Sequence, residues 1–264
     1  MTVVIPVWGA RYVDSLARAV ASVRSQDEEA PIVVVDNASD AEVPQLRGTE
    51  VVRSTRRLSA GKARNLGLKR VSTDFVLMLD ADDELIEGAL ASLRDGIDAD
   101  PGVAVYSMSL LEAETGARHR TPRRLASVLA RVPWLFAHAT AVWSLYPIHG
   151  NAIMRTSGIR DAGGYPDCSG GEDWVLGVSQ AFQGRVVIDA RPGTVYHAHP
   201  ESLWRRSRGA SDLLAAAGQV RARLATDPAV PGWTRAMIPL IAVLQTLIIV
   251  VIRPLFHALR GRRA

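Results

Sequence analysis

The stretch FVLMLDADDE, residues 75–84, decides how the rest of the chain is interpreted. Its apolar half, Phe75 to Leu79, is typical of a strand that is buried on both faces. Four acidic residues follow within the next five positions. Charge is costly inside a core unless something pairs with it. These carboxylates are therefore expected at the end of the strand, where they face a ligand.

Alternating strand and helix patterns surround this stretch over the first hundred residues. Strands are predicted at 2–7, 31–36, 49–54 and 74–80, and helices at 12–26, 60–71 and near 84–97. This alternation predicts an α/β fold with a Rossmann-like, mostly parallel sheet flanked by helices. Ligands of such sheets bind outside the carboxyl ends of the strands. The clusters DNASD (36–40) and DADDE (80–84) fall at two of those ends.

The pattern is looser in the second half of the chain. Residues 150–156 suggest a strand, and 170–182 suggest a helix that begins after two glycines. Residues 184–200 are interpreted as a hairpin, and 118–148 show no clear period. No internal repeat is visible.

Composition and charge exclude several classes of protein. Hydrophobic residues make up 48% of the chain and charged residues 22%, as in globular proteins. The single cysteine, Cys168, excludes an intramolecular disulfide framework and a multi-cysteine zinc site. No secretory signal is predicted from the first residues, MTVVIPVWGA. From Glu201 onward the chain has ten arginines and three acidic residues, a net charge of +7, so that the first 200 residues carry about −3 of the total of +4. A mildly acidic body argues against nucleic acid as its partner, and basic residues around the most apolar segment of the tail point to anionic lipid.

The DADDE cluster by itself allows more than one interpretation. Asp80 and Asp82 can present oxygens to one Mg²⁺ or Mn²⁺, which would neutralise a diphosphate. The alternative without a ligand is an acidic helix N-terminus, stabilised by the helix dipole. Phosphatases of the haloacid dehalogenase type also carry Asp-x-Asp after a strand, but there Thr or Val stands where this chain has Glu84.

Seven motifs occur in a fixed order along the chain. They are VVIPVWG, IVVVDNASD, GKARNLGLK, FVLMLDADDE, HGNAIMR, GGYPDCSGGEDWVLG and VYHAHPESL. Over residues 1–205 this succession resembles the inverting family-2 glycosyltransferases, which have the GT-A fold. The resemblance implies a hexosyltransferase-type enzyme that transfers sugar from a nucleotide-sugar donor, with a UDP-sugar favoured. The Gln-x-x-Arg-Trp motif of processive members does not occur in the sequence, so transfer of a single sugar is expected.

The resemblance also implies roles for individual residues. It assigns donor binding to Pro6, Val7, Asp36, Asn37, Arg64 and Asp80. It assigns a Mg²⁺ or Mn²⁺ ion to Asp82 and His199, with His197 as the alternative ligand or a phosphate contact. Asp83 is expected to point outward or to cap a helix, and His149 receives no role.

The GGEDW motif supplies the group that the reaction needs for proton transfer. By the resemblance Asp173 is the general base, because an acceptor hydroxyl must lose its proton as it attacks the anomeric carbon. Glu172 is assigned to orienting the acceptor or a loop of the active site. The alternative is that both residues only begin a helix.

The chain near its end is strongly apolar. Residues 236–252, AMIPLIAVLQTLIIVVI, would extend about 25 Å as a helix, slightly short of a bilayer core of about 30 Å. A marginal transmembrane helix, an in-plane or re-entrant anchor and a buried dimer helix all fit this run. Membrane association at the cytoplasmic face of the cell membrane is expected, because the donor is cytosolic and arginines follow the run.

These patterns predict three segments and one principal activity. Residues 1–205 form the catalytic domain, 206–232 a helical linker and 233–264 the hydrophobic, basic-flanked membrane-associating segment. The predicted activity is metal-dependent inverting sugar transfer, and the membrane segment suggests a lipid-linked or cell-envelope glycan as the acceptor. The alternatives are a phosphatase or nucleotidyltransferase that uses the aspartate cluster, and a non-catalytic nucleotide-sugar-binding module on the membrane.

Overall fold

The computed structural model describes residues 1–116, 118–119, 124–197 and 209–255. The strands are β1 Thr2–Val7, β2 Ile32–Asp36, β3 Thr49–Arg53, β4 Phe75–Met78, β5 Glu84–Leu85, β6 Val103–Glu112, β7 Arg118–His119, β8 Ala152–Arg155 and β9 Arg185–Tyr196. The helices are α1 Gly9–Arg24, α2 Ala60–Leu68, α3 Ala89–Asp98, α4 Arg124–Leu129, α5 Pro133–Val142, α6 Thr156–Asp161, α7 Glu172–Gln183, α8 Ala210–Thr226, α9 Gly232–Ala236 and α10 Ile238–Thr246. A π-helical turn, Leu247–Ile252, continues α10.

One sheet runs through the molecule in the order β3-β2-β1-β4-β8-β6-β9-β5, and β7 pairs with β6. Strands β1 to β4 are mutually parallel, and β6 is parallel to β9. Strand β8 is antiparallel to both β4 and β6, and β5 is antiparallel to β9. The predicted α/β fold with a mostly parallel sheet and a C-terminal hydrophobic helical segment is confirmed.

The register of the parallel strands brings two polar clusters to one edge. Val7, the last residue of β1, pairs with Asp36, the last of β2. On the other side of β1, Val4 pairs with Met78, and Leu79 donates its N–H to the Val4 carbonyl. The DNASD and DADDE clusters therefore follow neighbouring strands at the same edge of the sheet.

Helices cover both faces of the sheet, which explains the unbroken apolar runs in its strands. On β1, Val4 belongs to the core beneath α2, α5 and α7, whereas Val3 and Ile5 belong to the core beneath α1 and α3. Both cores alternate along β2 in the same way. Strands that are buried on both sides show no polar alternation, because neither face reaches water.

Two sequence predictions need correction. The hairpin expected at 184–200 is wrong, because β9 continues to Tyr196 as one strand parallel to β6. The run Arg191-Pro192-Gly193 makes no hairpin turn but lies at register irregularities, where Pro192 pairs with Ser109. The helix expected near 84–97 begins later, at Ala89, and Glu84–Leu85 forms the short strand β5.

The C-terminal helices form an outer layer that packs on α5 and α7, two of the helices that cover the sheet. Helix α8 buries Ala216, Ala217, Val220 and Leu224 in a core that it shares with α5, α7 and α10. The predicted boundary at residue 205 lies outside the described residues. Among the described residues, the helix at 238–255 is long and apolar enough to cross a membrane, and 17% of that stretch is buried.

Close contact between α2 and the sheet gives a stability prediction. A Cβ added at Gly67 would lie 2.3 Å from Val4 Cγ1 and 2.8 Å from Val35 Cγ2. We expect Gly67→Ala to lower the free energy of unfolding by about 1–3 kcal/mol, because the core cannot yield without strain. The matched control is Gly218→Ala in α8, where the nearest atom lies 3.7 Å away.

The control should raise the free energy of unfolding by roughly 0.5–1 kcal/mol, because alanine favours a helix interior over glycine. Urea unfolding of both variants measures the two effects. Equal stabilities for the two variants would show that α2 does not pack on β1 and β2 in this way.

Candidate active site

Arg64 lies at the centre of the site and connects two carboxylates that are far apart in the sequence. It projects from α2, and its side chain is only 6% exposed. Its Nη2 donates to Asp80 Oδ1 at 2.7 Å, and its Nη1 donates to Glu172 Oε1 at 2.8 Å. The DADDE cluster and the start of α7 therefore meet at one guanidinium.

The approach of α2 to the start of α7 depends on a glycine. A Cβ at Gly61 would lie 2.3 Å from the Pro166 carbonyl oxygen and 3.5 Å from Glu172 Cβ. The side-chain amide of Asn65 fixes the same loop, because Nδ2 donates to the Tyr165 carbonyl at 2.8 Å and Oδ1 accepts the Tyr165 N–H at 2.9 Å. These contacts set the position from which Arg64 reaches both of its partners.

The charges around Arg64 stabilise one another. Burial opposes the charge of Arg64, but Asp80 and Glu172 outweigh it and raise the pKa of Arg64 above its ordinary value. Burial likewise opposes ionisation of Asp80, but the guanidinium lowers the pKa of Asp80 below its ordinary value. Asp80 is therefore an anion at neutral pH, and its Oδ2 has no hydrogen-bond partner among the described residues.

The next two aspartates are in a different state. Burial, followed by the charge of Asp80, raises the pKa of Asp82 to about 6. Burial and the charges of Asp80 and Asp82 raise the pKa of Asp83 well above its ordinary value. Three carboxylates are crowded at one strand end, and an added cation would relieve their repulsion.

The expected outward position of Asp83 is wrong. Asp83 is 3% exposed, and its Oδ1 accepts the backbone N–H of His197 at 3.2 Å. The side chain turns toward β9 because this strand, with its partner β5, closes the sheet beside the cluster. The His197 ring is also engaged there, with Nε2 2.9 Å from Glu84 Oε1.

The cluster offers part of a metal site. Among residues 1–116, 118–119, 124–197 and 209–255, no three acidic, histidine or cysteine side chains converge on one point. Mg²⁺ and Mn²⁺ commonly take one or two carboxylates and complete their shell with phosphate oxygens and water. The crowded oxygens of Asp80 and Asp82 fit that requirement. His199, the other predicted ligand, lies outside the described residues.

The DNASD loop is held by its own side chains. Asp36 is buried, and its oxygens accept the Ser39 N–H at 2.9 Å and the Arg53 guanidinium at 2.8 Å. Asn37 donates to the Leu58 carbonyl at 3.0 Å and accepts the Leu58 N–H at 2.8 Å. An aspartate at position 37 could not donate, so the amide is suited to this contact.

Two residues of β1 that the sequence assigns to donor binding differ in exposure. Val7 is 2% exposed with its side chain in the core, and its carbonyl accepts the Asn37 N–H at 3.0 Å. Pro6 is half-buried near the end of the strand. Their predicted contacts with the donor stay predictions.

Trp8, which follows β1 directly, is a residue that the sequence reasoning missed. It is 45% exposed, and the Arg57 guanidinium lies 3.1 Å from the centroid of its ring. Burial lowers the pKa of Arg57 to about 10. The VVIPVWG motif contains Trp8, but the sequence does not show that its ring is exposed and stacked with Arg57 at the strand end.

Two shallow cavities flank the strand ends. One, of about 250 Å³, lies between Asp82 and the first turns of α1, and is lined by Arg11, Tyr12, Asp14, Ser15, Arg18 and Asp82. The other, of about 230 Å³, lies beside the Asn37 and Leu58 contact, and is lined by Arg56, Arg57, Leu58, Ser59, Lys62 and Asp167. Both contain basic groups, which suit an anionic ligand.

Asp173 begins α7 beside Glu172. Gly171 precedes the pair with φ of 78°, and a Cβ there would lie 2.6 Å from Ala216 Cβ of α8. Asp173 Oδ1 accepts the Trp174 N–H at 2.8 Å, and Oδ2 has no hydrogen-bond partner among the described residues. Burial, followed by the charge of Glu172, raises the pKa of Asp173 to about 6. This carboxylate is ionised at neutral pH and is a stronger base than an ordinary aspartate.

His149 is a second residue that the sequence left without a role. Its Nε2 is buried and has no hydrogen-bond partner among the described residues, and its ring centroid lies 5.5 Å from that of Tyr165. Burial, followed by the charge of Arg64, lowers the pKa of His149 to about 4, so the ring is neutral. Nothing in the spacing of the HGNAIMR motif indicates that the His149 ring packs against Tyr165.

A family model described as Glycosyl transferase family 2 matches residues 2–162, which include Arg64 and the aspartate cluster. The chain belongs to glycosyltransferase family 2. A pre-mycofactocin glycosyltransferase of Mycobacterium tuberculosis is 33% identical over 184 residues, which are 66% of this chain and 37% of that protein. The chain thus spans little more than a third of that relative's length.

Two solved structures share the fold of this chain. Residues 1–349 of TarS from S. aureus, in complex with UDP-GlcNAc, superpose with a TM-score of 0.69 at 16% identity, over 93% of this chain and 72% of that one. The mannosyltransferase PcManGT from Pyrobaculum calidifontis, in complex with GDP-Man and Mn²⁺, gives 0.63 at 21% identity, over 92% and 69%. The GT-A fold expected from the sequence is confirmed.

The bridging position of Arg64 gives a second stability prediction. We expect Arg64→Gln to lower the free energy of unfolding by about 2–4 kcal/mol, because it leaves Glu172 and Asp80 without a counter-charge, with Asp80 partly solvated. The matched control is Arg70→Gln, whose partner Glu50 is 3.6 Å away on the surface. That change should cost at most about 1 kcal/mol. Urea unfolding at neutral pH compares the two, and an Arg64→Gln variant as stable as the control would contradict the buried bridge.

Proposed function

We propose that this glycosyltransferase moves one sugar from a nucleotide-sugar donor to an acceptor hydroxyl with inversion, and that Asp173 is the general base. The observation that carries the proposal is the Arg64 bridge. It holds Asp80, at the donor-facing strand ends, and Glu172, next to Asp173, in one site. An inverting transfer needs a donor site and a base within reach of the same anomeric carbon.

The donor is proposed to lie across the carboxyl ends of β1, β2 and β4. The neighbouring structures contain UDP-GlcNAc, UDP and GDP-Man, which supports a nucleotide sugar, and a UDP-sugar is our choice among them. The exposed ring of Trp8 offers a flat face for the base. Pro6, Val7, Asp36, Asn37, Arg64 and Asp80 are the residues proposed to surround the nucleotide.

A divalent cation, Mg²⁺ or Mn²⁺, is proposed to bind Asp82 and His199 beside Asp80. The crowded carboxylates favour a cation, and PcManGT was solved with Mn²⁺. When bound, such an ion stabilises the charge of the departing diphosphate. The metal shell is otherwise left to phosphate oxygens and water.

The proton of the acceptor hydroxyl is transferred to a residue of the chain itself. Asp173 Oδ2 takes the proton of the acceptor hydroxyl as the hydroxyl oxygen forms its bond to the anomeric carbon. The bond from that carbon to the diphosphate oxygen breaks, and the nucleoside diphosphate leaves with the electron pair. Glu172, held by Arg64, fixes the first turn of α7 so that Asp173 stays in place.

The acceptor and the location are proposed from the C-terminal helix. Its apolar length supports membrane association, and a lipid-linked or cell-envelope glycan would be reached there. The cytoplasmic face is proposed because nucleotide sugars are cytosolic. Residues 1–205 are proposed as the catalytic domain, 206–232 as a helical linker and 233–264 as the membrane-associating segment.

The decisive prediction concerns Asp173. We expect Asp173→Asn to lower turnover by about 10²- to 10⁴-fold with donor affinity nearly unchanged, because the amide keeps the shape but cannot accept the proton. Sugar transfer and calorimetric donor binding measure the two quantities. The matched control is Asp161→Asn, an exposed aspartate outside the site that should keep wild-type turnover.

The pH profile checks the same assignment independently. With the pKa of Asp173 at about 6, the ionised fraction falls as the pH drops through 6. Turnover should therefore fall about tenfold per pH unit below that point. A wild-type turnover that is unchanged down to about pH 5 would exclude Asp173 as the base.

The products of the reaction test the alternative functions. Release of inorganic phosphate or nucleoside triphosphate from the donor would support the phosphatase or nucleotidyltransferase alternative.

A separate prediction concerns the metal. We expect Mn²⁺ to strengthen binding of a nucleoside diphosphate to the wild-type chain, and we expect EDTA to abolish that gain. In Asp82→Asn the gain should shrink at least about tenfold, because even residues behind a metal ligand cost 10- to 100-fold when changed. Titration calorimetry with and without Mn²⁺ measures it. Undiminished affinity in EDTA would remove the metal from the proposal.

A further inference from the structure

Two segments far apart in the sequence expose large apolar side chains on the described surface. The first is the α4–α5 hairpin, where Leu125, Val128, Val132, Trp134 and Leu135 are exposed. The second runs from α9 to the end of the helix at 238–255, which we call the apolar helix. Its exposed side chains are Trp233, Met237, Leu240, Val243, Leu244, Leu247, Val250, Val251, Ile252 and Leu255. Together we call them the apolar face. Contiguous exposed surface of this kind marks an interaction site.

The two segments meet at His138. The His138 ring stacks on Trp233 with centroids 4.7 Å apart and contacts Trp134 edge-on at 6.3 Å. Its nitrogens lie 2.6 Å from the Trp134 carbonyl and 3.0 Å from Thr234 Oγ1. The tryptophans of both segments, 62% and 55% exposed, are thus held side by side by one imidazole.

The opposite side of the apolar helix is fixed to the domain. Ile241, Gln245 and Ile249, spaced four residues apart, are buried in the core shared with α5, α7 and α8. Gln245 Nε2 donates to the Ala141 carbonyl at 2.8 Å, and its Oε1 accepts from Arg221 of α8. A helix packed lengthwise on the domain cannot cross a bilayer without taking α5 and α8 with it. It can lie in the membrane surface with its other side in the lipid.

Charge identifies the kind of surface that suits the apolar face. Residues 124–148 and 228–264 contain seven arginines and no aspartate or glutamate. Arg131, in the turn between α4 and α5, and Arg235 of α9 are exposed, and each lies within three residues of one of the two tryptophans in the sequence. Two copies of this face would repel each other, whereas an anionic bilayer attracts arginines and accepts the apolar side chains between them.

We propose that the apolar face, built from the α4–α5 hairpin and the helix at 238–255, docks in the plane of an anionic lipid bilayer. The helix does not span the membrane. This inference deepens the membrane association proposed above, and vesicle binding tests it without sugar transfer, so that the two proposals fail separately.

The same helices connect the apolar face to the active site. Trp174 follows Asp173 directly in the sequence. Its indole N–H donates to the Thr140 carbonyl of α5 at 2.6 Å. Helix α8 contacts Gly171 through Ala216, just before Glu172. A bilayer held by this face therefore lies one helix layer from the base, a distance suited to an acceptor carried on a lipid.

Sedimentation of the full chain with lipid vesicles is the first test. We expect binding to vesicles of phosphatidylcholine with phosphatidylglycerol and much weaker binding to phosphatidylcholine alone. Trp134→Ser with Trp233→Ser should weaken binding at least about tenfold, whereas Trp8→Ser, another exposed tryptophan, should not. Arg131→Glu should weaken vesicle binding about fivefold or more. The control is Arg47→Glu, which makes the same change of charge at an exposed site elsewhere and should leave vesicle binding unchanged.

The orientation is tested with single cysteines at Leu240, Leu247 and Leu255 in a Cys168→Ser background, each carrying an environment-sensitive fluorophore. Quenchers at set depths should report one shallow depth for all three, because the helix lies flat. In a spanning helix Leu247 would lie about 10 Å deeper than Leu240, and that result overturns the proposal. So does a lipid-free dimer that the tryptophan changes dissociate while vesicle binding persists.

Discussion

The Arg64 guanidinium, buried between Asp80 and Glu172, is the constraint on which the site depends. A buried ion pair gives little net stability, because desolvation offsets attraction, but losing one partner is costly. The main effect of the bridge is therefore on geometry, because the end of β4 and the start of α7 must both stay within reach of the Arg64 side chain. Close packing of Gly61 on the α7 loop and of Gly67 on β1 leaves α2 little freedom to move away.

The outer layer of helices belongs to the same arrangement. Arg223 of α8 donates to the Ala162 and Gly164 carbonyls, in the turn that leads to Tyr165. Tyr165 is in turn held by the Asn65 amide of α2. The C-terminal helices thus support the loop that precedes the proposed base, and they connect the apolar face that they share with α5 to the proposed active site. A glycosyltransferase that acts on a lipid-borne acceptor benefits from such a connection, because docking and acceptor alignment then use one rigid layer.

The electrostatics of the site divide its carboxylates into two kinds. Asp80 has the Arg64 guanidinium beside it and stays ionised. Burial and neighbouring negative charges raise the pKa values of the other three carboxylates, Asp82, Asp83 and Asp173. Such groups gain most from a new positive charge or from a proton that arrives during the reaction. The repulsion between these carboxylates would be relieved by the proposed donor complex and by the proposed proton transfer. The strand end cannot move to relieve it first, because β4 is buried in the core.

The sequence by itself determined the parallel part of the sheet, strands β1 to β4, because continuous apolar strands that alternate with helices are satisfied by a parallel sheet covered on both faces. It also placed Asp36, Asp80 and Asp173 at element ends, where polar groups escape the core. Only the tertiary structure decided that Arg64 bridges Asp80 and Glu172, that Asn37 bonds Leu58, that β9 is one strand, and that His149 packs against Tyr165. Periodicity reports which face of an element is buried. A hydrogen bond between residues about a hundred positions apart depends on where two elements cross, and tertiary packing alone sets that crossing.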